Sequence, residues 1–480
     1  MEKEIVLFPL PAMGHLNPMV EFGKLLLRRG LSVTILIFQF PAIDNRAIDS
    51  YISGVSAANS SLSIRRLPFP PSSPAAGSLV DLVRLALPIL KDYLSASPAC
   101  AIILDFFFDA GLDVAAELRV PCYFFFASSA SNLAAFLYLP TLHHQITDSF
   151  KDLGDTPIHF PGFPRPISAS DMPNRISDRT TELYKNVIVQ FERLAGSAGI
   201  IVNSFRSLEP KALSAIASGL CFPGRLMAPV YSVGPITATD NRGDKETGSE
   251  LRHGSLAWLD GQPSGSVVFL CFGSMGGLPE AQLREIAVGL ERSGQRFLWV
   301  VRCGTQLQMP NGVTSPGKEM NLDAVLPEGF VERTRGRGLV VSSWAPQVSV
   351  LGHTAVGGFV THCGWNSVLE SIVAGVAMIA WPMYAEQRMN KVFLVEEARL
   401  AVEMRGYKNE LVRAEEVEEK VRWLMESEGG KELRARAAAA GESGREAMRE
   451  GGASYEDVLE VVRAITIANG GGVPAVDRRP

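Results

Sequence analysis

The sequence predicts an α/β protein made of two doubly wound domains. Three observations carry that reading: β-rich apolar runs alternate with segments of helical spacing, a polar linker interrupts the alternation near mid-chain, and the alternation then restarts. Length agrees, because 480 residues exceed the roughly 250–300 at which one hydrophobic core stops growing.

Residues 5–8 open the chain as an apolar strand, followed by a Pro/Gly loop, a helix over 18–29 stopped by Gly30, and a second strand over 31–38. The same grammar repeats as strand 101–104 with helix 110–118, and as strand 122–126 with helix 131–139. Residues 160–172, broken by prolines and a glycine, read as a surface excursion, and 200–202 resumes the sheet. The run ITATDNRGDKETGSELRHG over 236–254 has linker composition and sets the division into domains over 1–240 and 255–460. Beyond it come strands over 266–272, 296–301, 339–342 and 356–360, with a helix opened by Pro279 and closed by Gly294. Residues 303–325 read as a long loop and 413–468 as mainly helical. The last of these helices are allowed to return to the first domain, and 469–480 form a flexible tail.

Composition narrows the function. With 46% hydrophobic and 20% charged residues the chain is neither disordered nor collagen-like, and a net charge of −5 offers no footprint for nucleic acid. Small-molecule chemistry is therefore expected; a monomer is expected as well, a reading that does not rest on charge or composition. The cysteines Cys100, Cys122, Cys221, Cys271, Cys303 and Cys363 are too widely spaced for a CxxC or zinc ribbon and read as reduced core thiols. The opening MEKEIVLFPLPAMG lacks the basic flank of a signal peptide, and no apolar run reaches the ~18–20 residues of a membrane span, so a cytoplasmic protein is expected.

HExxH, GxSxG and a complete GxGxxG are missing, which weakens metalloprotease, α/β-hydrolase and dinucleotide readings. The near match to GxxxxGK at 312–318 places Glu319 where a hydroxyl belongs, and an acid there repels phosphate. The richest segment is WAPQVSVLGHTAVGGFVTHCGWNSVLESIVAGVAMIAWPMYAEQ, residues 344–387. His362 falls just past a buried strand, and Gly364, Trp365, Asn366 and Ser367 turn into a helix whose free amides and positive dipole end suit a diphosphate. Glu370 lies one turn after Asn366, where its carboxylate can accept two vicinal hydroxyls, and a following strand over 377–380 leads to Glu386 and Gln387. Spacing alone also accommodates an ordinary βαβ unit with Asn366 as helix cap and Trp344 in the core.

That segment resembles the signature box of plant family-1 UDP-sugar glycosyltransferases, from WAPQ through HCGWNS to an acid followed by Gln. The resemblance extends from PAMGHLNPM through LDGQPSGSVVFLCFGSMG to the C-terminal helices. It implies the GT-B fold, with two Rossmann-like domains facing across a cleft, the donor in the C-terminal half and the acceptor in the N-terminal half. It further implies that Trp344 stacks on uracil, that the Ala345 backbone bonds the base, and that Gln347 and Glu370 hold ribose. His362, Asn366, Ser367 and the Trp365 backbone take the diphosphate, Ser274 reaches it from FGSMG, and Glu386 and Gln387 hold sugar hydroxyls. Gln387 and Trp365 point to UDP-glucose, a co-substrate, with no cofactor or metal expected. Two departures stand out: Glu386 replaces the commoner Asp, and Ala127 in FFASSA replaces a Thr that can touch the sugar, leaving Ser128 as substitute.

Catalysis needs a base on the acceptor side. His15 lies in the loop after the first strand, where an imidazole with an ordinary pKa of about 6.5 can accept a proton near neutrality. Asp105 closes strand 101–104 at the same sheet edge and can orient the ring; both residues also suit purely structural roles, as a satisfied histidine and a helix cap. The GHLNP and ILDFFFD matches to the family favour catalysis, with Asp109 and Asp113 as alternatives to Asp105. The expected reaction is inverting transfer of glucose to a hydroxylated aromatic molecule such as a flavonoid. Phe106, Phe124, Ser128 and Tyr138 are the candidate acceptor residues, although strand alternation sends some aromatics into the core. His143 and His144 are read as solvated or as pocket lining. C-glucosylation of an electron-rich ring, a non-catalytic sugar-nucleotide binder and a nicotinamide oxidoreductase are the competing readings.

Overall fold

A computed structural model describes residues 4–38, 45–68, 79–238, 254–274, 276–302, 322–342, 344–409 and 411–468. Two compact units emerge. Among the described residues, the first unit takes in the chain up to Ser170, the stretch from Arg175 to Ala238 and everything from Glu446; the second takes in Asp171–Asn174 and the chain from Gly254 to Arg445. The second unit thus ends before residue 460, inside a helix.

The strands of the first unit are β1 (Glu4–Phe8), β2 (Ser32–Phe38), β3 (Ser63–Leu67), β4 (Ala101–Asp105), β5 (Cys122–Phe126), a small hairpin of β6 (Pro157–Ile158) and β7 (Ile167–Ser168), then β8 (Gly199–Val202) and β9 (Val230–Ser232). Those of the second are β10 (Val267–Cys271), β11 (Arg296–Val301), β12 (Gly338–Ser342), β13 (Val356–Thr361), β14 (Met378–Ala380) and β15 (Ala401–Glu403). Helices α1 (Met13–Leu27), α2 (Arg46–Ala58), α3 (Leu79–Ala96), α4 (Gly111–Leu118), α5 (Ala130–Gln145), α6 (Glu182–Leu194) and α7 (Pro210–Ala217) lie in the first half. They are followed by α8 (Gly254–Asp260), α9 (Glu280–Ser293), α10 (Leu322–Val325), α11 (Phe330–Arg333), α12 (Gln347–Leu351), α13 (Trp365–Ala374), α14 (Gln387–Val392), α15 (Ala414–Glu426), α16 (Glu428–Met448) and α17 (Ala453–Ala468).

The first sheet runs β3-β2-β1-β4-β5-β8-β9 and the second β12-β11-β10-β13-β14-β15, with every pairing in both parallel. Each is a doubly wound order that reverses beside its first strand, which opens a crevice at the carboxyl ends of β1 and β4, and of β10 and β13. Both faces are covered, so the strands read as continuous apolar runs. Val6, Phe8, Leu104, Phe124 and Phe126 pack toward α5 and α6, while Ile5, Leu7, Ile103 and Phe125 pack toward α1 and α17. No helix of the described residues is long and apolar enough to cross a membrane.

Three expectations are corrected. Helix α1 starts at Met13 rather than Pro18, so His15 stands in its first turn and not in a loop. Proline suits a first helical position, which drew the expected start to Pro18; an interior proline forfeits about 3 kcal/mol, but buried Leu16, Met19, Val20, Phe22 and Leu26 each return roughly 1.5–3 kcal/mol. Residues 160–172 are not simply a surface excursion, since Phe160, Ile167, Asp171 and Met172 are buried. Of the expected loop 303–325, only α10 falls within the described residues.

Helices α9 and α15 meet closely at Gly289, where an added Cβ would stand 2.6 Å from Val417 Cβ and 2.7 Å from the Ala414 carbonyl oxygen. Alanine would gain about 1 kcal/mol of helix propensity, but overpacking against a backbone atom costs about 1–3 kcal/mol. Gly289→Ala is therefore expected to lower the urea midpoint of the second unit's unfolding; a raised midpoint would show that propensity wins.

Candidate functional site

At the switch point of the first sheet, the last residue of β4 turns its side chain to α1. Asp105 is fully buried, and its Oδ2 lies 2.8 Å from Nδ1 of His15, whose side chain is 22% exposed. Its other oxygen accepts from the Phe107 backbone N–H at 3.1 Å and caps the short turn Phe106–Phe108. Capping and ring orientation, alternatives in the sequence, are thus performed by two oxygens of one carboxylate. With Nδ1–H donated to Asp105, the neutral imidazole carries its lone pair on Nε2, the atom that can accept a proton. Phe106 and Phe107 flank the ring at centroid distances of 5.7 and 5.4 Å. The alternatives to Asp105 are engaged elsewhere, since Asp109 and Asp113 both pair with Arg193.

The other acceptor-side candidates do not gather around His15. Phe124 is wholly buried in the sheet core, so its place as an acceptor contact is corrected: alternation along β5 turns it toward the helices. Ser128 is buried and accepts from the Asn132 side chain at 3.2 Å. Tyr138 packs edge-on against Phe160 and its hydroxyl donates to Gln145. His143 lies 3.2 Å from the Tyr184 hydroxyl and 3.0 Å from Arg179, while His144 is exposed.

At the switch point of the second sheet, β13 is followed by His362, by Cys363 in a left-handed conformation (φ 63°), and by Gly364 capping α13. Two bonds hold the strained Cys363: its N–H donates to Thr361 Oγ1 at 3.2 Å, and its carbonyl accepts from Asn390 Nδ2 at 2.9 Å. The first turn of α13 therefore begins abruptly at Trp365, with Asn366 and Ser367 in that turn rather than at the cap. His362 is buried between two glycines; a Cβ on Gly273 (φ 77°) would stand 2.6 Å from its Nε2, and one on Gly364 2.4 Å. Burial lowers its pKa to about 4, so the ring is neutral near pH 7, and its Nδ1 has no hydrogen-bond partner among the described residues. A buried ring nitrogen without a partner beside the start of a helix fits a ligand that exchanges hydrogen bonds with it.

The nucleoside-side candidates cluster next to this turn. Gln347 at the start of α12 donates its amide to Ser367 Oγ at 2.9 Å and to Glu370 Oε2 at 2.6 Å, joining α12 to α13. Trp344 is 37% exposed rather than in the core, Ala345 is buried, and the buried Trp365 packs its ring against Phe393. Ser274, in the turn after β10, is exposed, and its carbonyl accepts from Arg302. The buried Gln387 turns its Oε1 to the Met383 and Tyr384 amides, 2.9 Å each, and Glu386 stands at the N-cap position of α14 without a side-chain capping bond. Sequence reasoning missed Phe107, Asn390 and Arg302; the Asn390 position one helical turn past Glu386 was the available signal for that residue.

Two Rossmann-type sheets with polar groups at both switch points define a nucleotide-binding α/β protein of the GT-B class. A family model described as UDP-glucoronosyl and UDP-glucosyl transferase matches residues 219–432. The chain is 44% identical to an anthocyanidin 5,3-O-glucosyltransferase of a Rosa hybrid cultivar, over 96% of this chain and 98% of that one. It is 45% identical to a phloretin 2'-O-glucosyltransferase of Pyrus communis, over 96% and 99%. Among solved structures, Phytolacca americana UGT2 complexed with UDP-2fluoro-glucose and pterostilbene matches with a TM-score of 0.81 at 36% identity, covering 96% of this chain and 99% of that one. TcCGT1 in complex with UDP matches with a TM-score of 0.87 at 32% identity, covering 98% and 100%. The chain belongs to the UDP-glucoronosyl and UDP-glucosyl transferase family and is a UDP-sugar-dependent glycosyltransferase.

The depressed pKa of His362 has a consequence for stability. The unfolded chain binds a proton near the ordinary value of 6.5 while the folded ring resists it down to about 4, so stability falls as pH drops through that window. The loss attributable to this residue is about 2 kcal/mol at pH 5. His362→Gln is expected to shrink the difference in urea midpoint between pH 7 and pH 5, and an unchanged difference would show that other groups dominate.

Proposed function

We propose that this glycosyltransferase moves glucose from UDP-glucose to a hydroxyl of a flavonoid or related phenolic, with inversion at the anomeric carbon. The observation that carries the reading is the 2.8 Å bond from His15 Nδ1 to the fully buried Asp105, which leaves Nε2 to act as base. The acceptor and donor classes are supported by the relatives named for anthocyanidin and phloretin glucosylation.

In this mechanism His15 Nε2 takes the proton of the acceptor hydroxyl as the oxygen attacks the anomeric carbon from the face opposite UDP. The ring becomes imidazolium, and the Asp105 carboxylate stabilises that charge without itself taking the proton. The bond to the diphosphate breaks as the new glycosidic bond forms through an oxocarbenium-like state. Charge then grows on the departing diphosphate, where the first amides of α13, the Asn366 and Ser367 side chains and neutral His362 receive it. Trp344 stacks on uracil, the Ala345 backbone bonds the base, and Gln347 holds Glu370 toward the ribose hydroxyls. Ser274 meets the diphosphate from the β10 turn, and Glu386 and Gln387 hold sugar hydroxyls. Phe106 and Phe107 form the aromatic wall beside the base, suited to flat rings. The described cysteines Cys100, Cys122, Cys221, Cys271 and Cys363 are free thiols, which supports a cytoplasmic setting. One polypeptide carries both half-sites, so the reading needs no second copy.

The test is incubation of the purified protein with UDP-glucose and a panel of phenolics, with products resolved by mass spectrometry. Acid-labile glucosides are expected; acid-stable products would establish carbon attack, and binding of UDP without turnover of any phenolic would leave only a sugar-nucleotide binder. His15→Ala should cut transfer by about 10³-fold or more, and Asp105→Asn by about 10²–10⁴-fold, with UDP affinity within twofold of the native protein. Loss of UDP affinity together with turnover in these variants would make the pair structural.

A further inference from the structure

The segment Asp171–Asn174 clusters with the second unit although its neighbours in sequence belong to the first. Asp171 is buried, and its two oxygens meet three side chains of that unit. Oδ1 lies 2.8 Å from Lys408 Nζ and accepts from the Tyr407 hydroxyl at 3.3 Å, while Oδ2 lies 3.5 Å from Lys391 Nζ. Lys391 is itself buried in α14, and its ammonium also lies 3.0 Å from Glu403 at the end of β15 and 5.5 Å over the Tyr407 ring. An ammonium in such a place costs several kcal/mol unless carboxylates compensate it, so Lys391 has one favourable location, between Asp171 and Glu403.

Helix α14 runs directly into a π-helical turn over Phe393–Glu397, and buried polar contacts tie its first turns to the rest of the unit. It carries three buried polar side chains directed at three partners. Gln387 accepts from the Met383 and Tyr384 amides, Asn390 donates to the Cys363 carbonyl ahead of α13, and Lys391 is held by the two carboxylates. Fixing the last of these fixes the rotation of the first turn and with it the place of Gln387, while Asn390 keeps its own bond to the Cys363 carbonyl. Gln387 precedes Lys391 by one helical turn and lies on nearly the same face.

We propose that Asp171 is a positioning residue for the donor sugar, acting through Lys391 to hold α14 at the rotation that presents Glu386 and Gln387. The inference rests on the proposed roles of Glu386 and Gln387 and names the residue that sets their place. Asp171 itself touches no substrate. The uridine and diphosphate groups are held by α12 and α13, so losing Asp171 affects recognition of the hexose and spares recognition of UDP.

The experiment is calorimetric titration of Asp171→Asn, Asp171→Glu and the native chain with UDP, UDP-glucose and UDP-galactose, beside a thermal melt. For Asp171→Asn, UDP should bind within twofold of native, UDP-glucose about tenfold more weakly, and the preference for UDP-glucose over its C4 epimer should shrink. Asp171→Glu, which keeps the charge, should recover part of that preference. If Asp171→Asn melts below the working temperature, Lys391→Met removes the buried ammonium instead and should give the same pattern. An unchanged preference in a folded variant overturns the proposal, as does a loss of UDP affinity equal to the loss for UDP-glucose, which marks a structural role only. A native chain that discriminates the two sugars yet glucosylates no phenolic would defeat the acceptor assignment and leave this one standing; a native chain that binds no UDP-sugar would defeat both.

Discussion

Strand order is the constraint on which both half-sites depend. In each sheet the chain places its first strand in the middle and builds outward to one side before crossing to the other, so the connections after β1 and β4, and after β10 and β13, leave in opposite directions. Polar groups at those ends need not compete with helix packing for space. That is why a carboxylate can finish β4 with no exposed surface and still find an imidazole, and why His362 can sit between glycines of two different loops. The same residues on an interior turn elsewhere in these sheets would face a covering helix.

The second half-site relies on backbone strain held in place by a distant side chain. Left-handed geometry at a cysteine is uncommon and costs roughly 1–3 kcal/mol. The Thr361 hydroxyl and the Asn390 amide offset that cost from two sides, and the return is a helix that begins abruptly at Trp365. Asn390 belongs to α14, so the turn ahead of α13 and the segment bearing Glu386 and Gln387 are joined by its bond to the Cys363 carbonyl.

Much of this was legible in the sequence because parallel sheets write their strands as short apolar runs and their turns as Gly and Pro. The runs ending at Phe8, Asp105, Thr361 and Ala380 locate the carboxyl edges that carry the candidate residues, and Gly375 and Gly294 mark helix ends by their left-handed conformations. The start of α1 was misplaced because local propensity favours Pro18 as a first residue, whereas burial of one helix face decides the matter. Phe124 was misassigned because an all-apolar strand such as CYFFF gives no alternation from which to tell its two faces apart. The partnership of Asp171 with Lys391 had no local signal whatever, since it joins residues separated by some two hundred positions through a segment that looks like loop. Long-range charge pairs are set by topology, which periodicity does not encode.

The two imidazoles show how environment divides labour between identical side chains. His15 keeps some exposure to water and gives Nδ1–H to a buried carboxylate, so protonation at Nε2 produces a compensated ion pair. His362 has glycines rather than acids around it and is excluded from water, so a proton there would produce an uncompensated buried charge, and its pKa falls to about 4. In the proposed mechanism one ring changes charge during the reaction and the other stays neutral through it. A neutral ring beside a departing diphosphate can hydrogen-bond the growing charge without binding the reactant so tightly that release slows, whereas a permanent cation would hold the donor and the product alike. In that mechanism the carboxylate partner belongs with the imidazole that receives the proton, and its absence belongs with the one that does not.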